Sequence, residues 1–380
     1  MKVGFVFDDS LDKPDGVQQY ILTLGNWLSK QGHEVHYLVG QTVRKDIKNV
    51  HSLSRNIAVR YNKNRLSTPL PVSSTTICQF LQKEQFDVLH VQMPYSPQYA
   101  HKVINNAPDK TAIVGTFHIL PYGKFQTWGS QALARVVSSS LRRFDSVVAV
   151  SPAAQEFAKS AMGIDAVVVP NAVDLAKFRT ERSTKQPSKA ATAQVTVAFL
   201  GRLVPRKGCA ELLRALALLQ SQDKLGETKV LIGGDGQDAA KLKSFVAAND
   251  LANVVDFKGQ LKEAEKAEFL GCADVVVLPS LGGESFGITV VEAIASGAGV
   301  TVGGDNLGYS FVLADTPEAL VDPTDTKAFA EKLRKIIAEP KLRAELGKKQ
   351  RQRIQKFDVP VIGQQIESIY TQAARKHGKV

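Results

Sequence analysis

Two glutamates near a predicted helix start give the strongest candidate for a chemical site. They lie in the stretch Pro279 to Ala293, where a β-rich apolar run ends, a glycine-rich loop follows and a helix is predicted to begin near Gly287. Free N–H groups at a helix start can bind a phosphate, while the Glu284 carboxylate can accept hydrogen bonds from sugar hydroxyls. Seven residues separate Glu284 from Glu292, so the second carboxylate is expected about two helical turns farther along the same wall.

A second candidate is the loop from Gly201 to Gly208, which follows the strand-like run Val195 to Leu200. Arg202 offers a planar guanidinium fork and Lys207 a mobile ammonium, and together they can bracket a diphosphate. Basic loop residues are usually only solvated. The flanking glycines at a strand-to-helix junction favour a binding site here.

His118 is the best placed of the seven histidines for chemistry, because it stands just past the predicted strand Ala112 to Phe117. The alternative is a hydrogen-bonded structural histidine. A role in a site therefore depends on what the neighbouring strands place beside it.

The loop from Asp8 to Gly16 ends at a predicted helix start and offers backbone N–H groups to an anion or a hydroxyl. Asp9 and Asp12 are its candidate acceptor-side residues. The loop is not a G-x-G-x-x-G dinucleotide fingerprint, because Asp15-Gly16 supplies a single glycine. A plain strand-to-helix turn would have the same composition.

Around these candidates, β-rich runs alternate with amphipathic helical patterns, which is typical of parallel α/β sheets. The predicted strands are Val3 to Phe7, Val35 to Val39, Asp87 to Val91, Ala112 to Phe117, Ser146 to Val150, Ala166 to Val169, Val195 to Leu200, Lys229 to Ile232, Val254 to Phe257 and Asp274 to Leu278. Sheets of this kind bind ligands where strands end and helices begin. We therefore expect the site between two such halves.

The length of 380 residues suggests two domains. We predict a Rossmann-like domain over residues 1–176, a polar linker over 177–194 and a second Rossmann-like domain over 195–359. The last helical piece, 360–380, is expected to pack back on the first domain.

The chain is basic, with 48 Lys and Arg against 37 Asp and Glu and a net charge of +11. A nucleic acid, an acidic membrane surface or a phosphorylated small molecule would each fit this charge. The absence of helix-turn-helix, finger or aromatic-basic patterns argues against nucleic acid. Basic residues cluster between 341 and 356, on a helix that faces either anionic lipid or, more commonly, solvent.

Cellular location is constrained by the cysteines and by the apolar segments. Cys78, Cys209 and Cys272 are widely spaced and form neither a disulfide framework nor a zinc motif, which favours a reducing cytosol. No segment approaches the roughly 20 apolar residues that span a bilayer, and the run after Lys2 is too short for a signal peptide. We predict a cytoplasmic protein whose membrane contact, if any, is peripheral on the inner face of the cell membrane.

The sequence resembles the retaining glycosyltransferases of family 4, which have the two-Rossmann GT-B architecture, and among them the bacterial phosphatidylinositol mannosyltransferases. The motifs that carry the resemblance are Gly16-Val17-Gln18, Gly32-His33-Glu34-Val35, Gly115-Thr116-Phe117-His118, Val169-Pro170-Asn171, Leu200-Gly201-Arg202 with Arg206-Lys207-Gly208, and Gly282 to Gly287 with the paired glutamates. The resemblance covers nearly the whole chain. It implies an α/β fold with two doubly wound domains facing a cleft.

The resemblance also implies a role for each candidate residue. The implied catalytic residues are His118 at the transferred sugar, Arg202 and Lys207 at the diphosphate, and Glu284 at the sugar hydroxyls; the implied donor-binding residues are Gly16, Ser285, Phe286, Gly287, Ile288 and, at the ribose, Glu292. The cations would neutralise the leaving diphosphate without a metal. No D-x-D triplet, the mark of metal-binding GT-A enzymes, occurs in the chain.

Several positions depart from the family pattern, among them Ala172 in place of a glycine and Gly303 to Asn306 without the usual glutamate. Asp15 replaces the first glycine of the usual Gly-Gly-Val loop, and Gln92 and Met93 stand where the mannosyltransferases usually carry His-Glu. The stretch Ser74 to Gln82 has no basic residue, whereas the membrane-docking helix of the inositol enzymes is rich in them. The change at Asp15 and the lack of basic residues in Ser74 to Gln82 both bear on recognition of the acceptor.

The expected function is a retaining transfer of a hexose, mannose from GDP-mannose above all, to a lipid or glycan acceptor of the phosphatidylinositol type. No metal or other cofactor is expected, and the partners are a nucleotide sugar, the acceptor and an anionic membrane surface. The alternatives within this fold are a nucleotide-sugar epimerase or a transferase that uses a UDP-sugar and a soluble acceptor. An NAD-dependent oxidoreductase is disfavoured by the missing glycine fingerprint.

Overall fold

The computed structural model describes residues 1–12, 15–61, 64–94, 96–118, 135–180 and 194–379, with backbone alone over 57–61 and 64–68. The chain divides into two units, one made of Met1–Ala172 and Val359–Val380, the other of Val173–Asp358. The predicted linker lies largely outside the described residues. Its first residues, 177–180, belong to the second unit.

The first unit is built on a seven-stranded parallel sheet in the order β3-β2-β1-β6-β7-β8-β9, with a separate antiparallel hairpin, β4-β5. Its described strands are β1 (Lys2–Phe7), β2 (Glu34–Val39), β3 (Val50–Ser52), β4 (Asn56–Tyr61), β5 (Asn64–Pro69), β6 (Val88–Gln92), β7 (Ala112–Phe117), β8 (Ser146–Ala149) and β9 (Val167–Val168). Its described helices are α1 (Gly16–Lys30), α2 (Ser74–Glu84), α3 (Tyr99–Asn105), α4 (Ser138–Leu141), α5 (Pro152–Met162) and, after the second unit, α13 (Val359–Arg375).

The core of this unit explains why the six predicted strands form. β1 is an inner strand of the sheet, with Val3 opposite Val35 on β2 and Val88 on β6. One face of these strands is buried under α1 and α13, where Ile366 and Tyr370 join the same core, and the other face is buried under α2 and α3. The short edge strand β3 and the β4-β5 hairpin were not predicted, because their polar sequences lack the apolar runs on which the prediction relied.

The second unit has a six-stranded parallel sheet in the order β12-β11-β10-β13-β14-β15. Its strands are β10 (Val195–Leu200), β11 (Thr228–Gly233), β12 (Val255–Gly259), β13 (Val275–Leu278), β14 (Val300–Gly304) and β15 (Leu320–Val321). Its described helices are α6 (Cys209–Ser221), α7 (Ala239–Ala248), α8 (Lys266–Gly271), α9 (Ile288–Ala295), α10 (Leu307–Val312), α11 (Thr326–Ala338) and α12 (Pro340–Ile354). The prediction of two doubly wound α/β halves is confirmed.

Two arginines of the basic helix α12 form hydrogen bonds within the second unit. Arg343 donates to the carbonyl of Ile336 at 3.0 Å, at the end of α11, and Arg353 donates to the carbonyl of Val312 at 2.7 Å, at the end of α10. Arg353 also pairs with Asp315 at 2.6 Å. These two arginines therefore stabilise the ends of helices. For them, neither predicted role, facing anionic lipid or facing solvent, describes what the side chain contacts. Within the described part of the chain, no helix has the length and apolar character needed to cross a membrane.

Candidate functional site

The strongest sequence candidate, Glu284, lies in the loop between β13 and α9. Its Oε1 atom accepts three hydrogen bonds, from Arg206 Nη1 at 2.6 Å, Lys207 Nζ at 2.9 Å and Ser280 Oγ at 2.8 Å. Burial alone would raise the pKa of Glu284, but the charges of Lys207 and Arg206 outweigh it and lower the pKa to about 2. The carboxylate is therefore ionised throughout the physiological range.

Hydrogen bonds join the loop after β10 to the loop after β13, which carries this carboxylate. The carbonyl of Arg206 accepts a hydrogen bond from Leu281 N at 2.9 Å, and Ser280 Oγ, which donates its proton to Glu284, lies 3.1 Å from the same carbonyl. On the other side, Asn306 Nδ2 donates to the carbonyl of Ser280 at 3.1 Å, and Asn306 Oδ1 caps α10 at Tyr309 N. The loop after β10 and the loop after β13 thus form one platform at the carboxyl ends of adjacent strands.

Glycine is required at two places on this platform. Gly208 has φ +75°, and a Cβ there would lie 1.8 Å from the carbonyl oxygen of Pro279. Gly287, the N-cap of α9, has φ +112°, and its Cβ would lie 2.6 Å from Tyr309. Any larger side chain would therefore have to move the loop that carries Glu284.

Four of the predicted donor-binding residues, Ser285 to Ile288, lie around the start of α9, whereas Gly16 lies in the first unit. The ring of Phe286 is buried against Phe311 and Phe357, so only its backbone can reach a ligand. Gly287 caps the helix and Ile288 begins it. Ser285 is half-buried in the same loop.

Glu292 lies in the second turn of α9 and is 3% exposed. Burial raises its pKa to about 7, with Lys266 acting in the opposite direction. Unlike Glu284, whose pKa is lowered, this carboxylate is shifted by burial toward its protonated form.

The two predicted diphosphate cations are not equivalent in the structure. Lys207 contacts Glu284, while Arg202 is exposed at the start of the loop. Sequence reasoning missed the role of Arg206, the nearest cation to Glu284. The Arg206-Lys207-Gly208 motif did indicate a basic site. A sequence with two adjacent basic residues does not, however, show which side chain points toward the carboxylate.

In the first unit, the predicted acceptor-side loop is held by its own aspartates. Asp12 Oδ1 accepts hydrogen bonds from Val43 N at 2.9 Å and from Thr42 Oγ1, both in the loop after β2. Asp9 Oδ1 accepts a hydrogen bond from Ser10 N at 2.6 Å. Both aspartates therefore have structural partners, and Gly16 opens α1 directly after this loop.

Asp8, which sequence reasoning did not single out, is buried at the end of β1. Its Oδ1 accepts from Ala100 N at 2.8 Å, in the first turn of α3, and its Oδ2 accepts from Ser96 Oγ. Asp8 thus caps a helix that lacks a cap from its own N-terminal residue. Burial raises its pKa to about 6, although the Ser96 and Ala100 hydrogen bonds oppose this.

His118 lies just past β7 and is 8% exposed. Its Nε2 lies 2.7 Å from Gln92 Oε1, and the ring of Tyr20 meets it edge-on at 5.0 Å. Burial lowers its pKa to about 3, although a hydrogen bond with Asn171 acts in the opposite direction. The ring is therefore neutral at physiological pH.

Known structures share this fold. A sucrose-phosphate synthase from Thermosynechococcus elongatus superposes with a TM-score of 0.72 at 21% identity, covering 98% of each chain. Anabaena Alr3699/HepE in complex with UDP and glucose superposes with a TM-score of 0.74 at 18% identity, covering 98% of this chain and 99% of that one. The protein therefore has the GT-B fold of glycosyltransferases.

Sequence comparison defines the family. The glycosyltransferase family 4 model matches residues 14–177, and the model of glycosyl transferases group 1 matches residues 180–353. A phosphatidyl-myo-inositol mannosyltransferase of Mycolicibacterium smegmatis is 34% identical over 97% of this chain and 93% of its own length, and one of Mycobacterium tuberculosis is 31% identical over 100% and 99%. The chain belongs to glycosyltransferase family 4 and is a glycosyltransferase, as predicted.

Proposed function

We propose that this glycosyltransferase transfers mannose from GDP-mannose, with retention of configuration, to an acceptor of the phosphatidylinositol type. The observation that carries the proposal is similarity along the whole chain, at 30 to 34% identity, to proteins named as phosphatidyl-myo-inositol mannosyltransferases. A whole-chain match includes both the donor-side and the acceptor-side unit. It therefore bears on both substrates.

The platform around Glu284 supports the donor half of the proposal. Lys207 and Arg202 would bind the diphosphate together with the N–H groups at the start of α9. Cationic side chains and free N–H groups at a helix start both donate hydrogen bonds to phosphate oxygens. Glu284 would accept hydrogen bonds from sugar hydroxyls through Oε2, since Oε1 already has three donors. Glu292 would bind the ribose.

The charge of the first unit supports an anionic acceptor. This unit has 21 Lys and Arg against 13 Asp and Glu, a net charge of +8, whereas the second unit has 27 against 24, a net charge of +3. Within residues 44–143 the basic residues outnumber the acidic ones by 14 to 4. A phosphorylated inositol or its lipid would be drawn to such a surface.

Retention follows in this proposal from attack on the face that the diphosphate leaves. The bond from the anomeric carbon to the diphosphate oxygen breaks, the bond to the acceptor oxygen forms on the same face, and a donor phosphate oxygen takes the acceptor proton. No protein nucleophile is needed. Cations that neutralise the leaving group, with no metal, would supply the electrostatic stabilisation.

A donor-by-acceptor panel tests the proposal. GDP-mannose, UDP-glucose and UDP-GlcNAc would each be incubated with phosphatidylinositol vesicles, and the product's anomeric proton examined by NMR. We expect an α-linked mannosyl product from GDP-mannose. Transfer from a UDP-sugar alone would reject the proposed donor, and a β-linked product would reject retention.

A soluble phosphorylated inositol is a second candidate acceptor. Proteins named D-inositol 3-phosphate glycosyltransferase, from Corynebacterium diphtheriae and Streptomyces avermitilis, are 31 and 32% identical over 55 and 47% of this chain. The helix α2 also carries a single basic residue, Lys83, where a lipid-docking helix would carry several. Transfer to inositol phosphate, but not to phosphatidylinositol, would favour this acceptor.

Location is the last part of the proposal. A lipid acceptor would require the enzyme to act peripherally at the cytoplasmic face of the cell membrane. Sedimentation with vesicles tests this, because electrostatic binding should appear with anionic lipid at low salt and fade at high salt. Equal binding to neutral vesicles would contradict an electrostatic mode.

A further inference from the structure

Gln92 and His118 form a buried pair at the carboxyl ends of β6 and β7. These strands are neighbours, with Gln92 opposite Thr116. Gln92 is completely buried, and its Oε1 lies 2.7 Å from His118 Nε2. The next residue, Met93, has φ +61°, and its N–H donates to the carbonyl of Thr116 at 3.2 Å, so the strand end that carries Gln92 is held in place.

The orientation of the Gln92 amide determines which nitrogen of His118 carries the proton. Gln92 Nε2 faces the backbone carbonyl of His90 at 3.4 Å, and a carbonyl can only accept a hydrogen bond. Gln92 Oε1 therefore faces the ring, and it too can only accept. His118 Nε2 must be the donor, which leaves Nδ1 of the neutral ring as an acceptor.

We propose that Gln92 is a positioning residue that holds His118 in the Nε2–H tautomer, so that Nδ1 accepts a hydrogen bond from a hydroxyl of the transferred sugar. The sugar contact rests on the proposed function. The tautomer rests only on the contacts within the first unit.

The surroundings of the ring keep it neutral. The titratable side chains that face it are Tyr20 of α1, whose pKa is raised by burial, and His90 of β6, whose pKa is lowered to about 3 by burial and by His118. His90 is itself held between Thr116 Oγ1 and Tyr370 Oη, each at 2.6 Å. The hydrogen bond with Asn171 acts in the opposite direction and raises the pKa of His118, but burial outweighs it.

Two substitutions of equal size separate positioning from simple packing. Gln92→Glu keeps an acceptor at Nε2 but adds a negative charge, which favours the protonated ring. Gln92→Leu removes the acceptor. If Nδ1 must accept, Gln92→Glu should match the wild type at pH 9 and lose at least about tenfold in kcat toward pH 6, because protonation of Nδ1 removes the acceptor. Gln92→Leu should lower kcat at every pH with little change in the donor KM.

Imidazole ¹⁵N NMR reads the tautomer directly, without any turnover. The His118 signals, assigned by their loss in His118→Gln, should show a protonated Nε2 and an unprotonated Nδ1 in the wild type. In Gln92→Glu the ring should titrate at higher pH than in the wild type. A protonated Nδ1 in the wild type, or unchanged titration in Gln92→Glu, would overturn the proposal.

The same spectra distinguish failure of this proposal from failure of the proposed function. Addition of GDP-mannose to the wild type should shift Nδ1 more than Nε2. If the tautomer is as proposed but neither GDP-mannose nor another nucleotide sugar moves Nδ1, the sugar contact is wrong and the positioning role of Gln92 stands. Gln350→Leu, which removes a buried glutamine that bonds Thr301 in the second unit, controls for general loss of stability and should leave the His118 signals unchanged.

Discussion

Glu284 of the second unit and the pair Asp8 and His118 of the first unit are accommodated in the interior by opposite means. In the second unit, Glu284 is paired with two cations and has a pKa near 2, so its platform is permanently charged. In the first unit, Asp8 and His118 are buried with neutral hydrogen-bond partners, and their pKa values move toward the uncharged forms, to about 6 and about 3. A site for a diphosphate needs fixed charges, whereas a site that orients hydroxyl groups needs fixed donors and acceptors.

The largest expected effect tests whether the charged platform depends on glycine. Gly208→Ala combines a left-handed backbone, φ +75°, with a Cβ 1.8 Å from a carbonyl oxygen, and should lower the free energy of unfolding by about 2 to 5 kcal/mol. Gly163→Ala is the matched control, because Gly163 has φ +68° with no atom within 4 Å of its Cβ. It should cost about 1 to 2 kcal/mol.

Thermal and denaturant unfolding of both variants checks this prediction. Gly208→Ala should also lose donor binding, measured by stabilisation with GDP-mannose, whereas Gly163→Ala should keep it. Equal losses of stability would mean that the loops after β10 and β13 can separate without cost. The platform would then not be a single rigid body.

The next effect concerns the role of the Glu284 charge. Glu284→Gln keeps the shape of the side chain but removes the charge that faces Arg206 and Lys207, and should cost about 1.5 to 3 kcal/mol in transition-state binding. We expect kcat to fall more than the nucleotide affinity. Glu292→Gln should instead raise the donor KM, and the reverse pattern would exchange the roles assigned to the two glutamates.

The strands, the Glu284 site and the Asp8 contacts differ in how well they could be predicted from the sequence alone. Strands such as β1 and β13 and the glycine loop at 282–287 were predictable, because apolar runs and glycines act locally. The engagement of Arg206 with Glu284 depends on the short helical turn Pro205–Lys207, which fixes the direction of two adjacent cations. The capping of α3 by Asp8 joins residues 92 positions apart, so no local pattern could indicate it.

A smaller effect tests the neutral character of the first unit. Because the folded-state pKa of Asp8, about 6, exceeds the ordinary value of 3.8, the native state binds more protons than the unfolded state between these values. Stability from this group is therefore full at low pH and is lost as the pH rises to about 6. Ionised Asp8 should cost about 3 kcal/mol above that pH.

Asp8→Asn removes this cost and can keep the hydrogen bond from Ala100. Its melting temperature should exceed that of the wild type at pH 8, with a much smaller difference at pH 5. Asp109→Asn, a fully exposed aspartate of the same unit, is the control and should show no such dependence. A variant that is less stable than the wild type at pH 8 would mean that Asp8 is stabilising as an anion.

Chelation is expected to have the smallest effect, and it tests whether the charged platform is complete by itself. Arg206 and Lys207 contact Glu284 in the loop that precedes α9, Arg202 lies in the same loop as these two cations, and we expect the three to offset the charge that develops on a leaving diphosphate. In the described part of the chain, His, Cys, Asp and Glu nowhere gather in a group of three or more that could hold a metal ion. Because these protein cations can neutralise the leaving group, we expect turnover in EDTA to stay within about twofold of the untreated enzyme, with magnesium and manganese adding little. Loss of activity in EDTA that manganese restores would show that the protein's cations do not suffice to stabilise the leaving group. The charge of the donor platform would then depend on a bound metal as well as on its own side chains, and the contrast with the neutral groups of the first unit would no longer hold as stated.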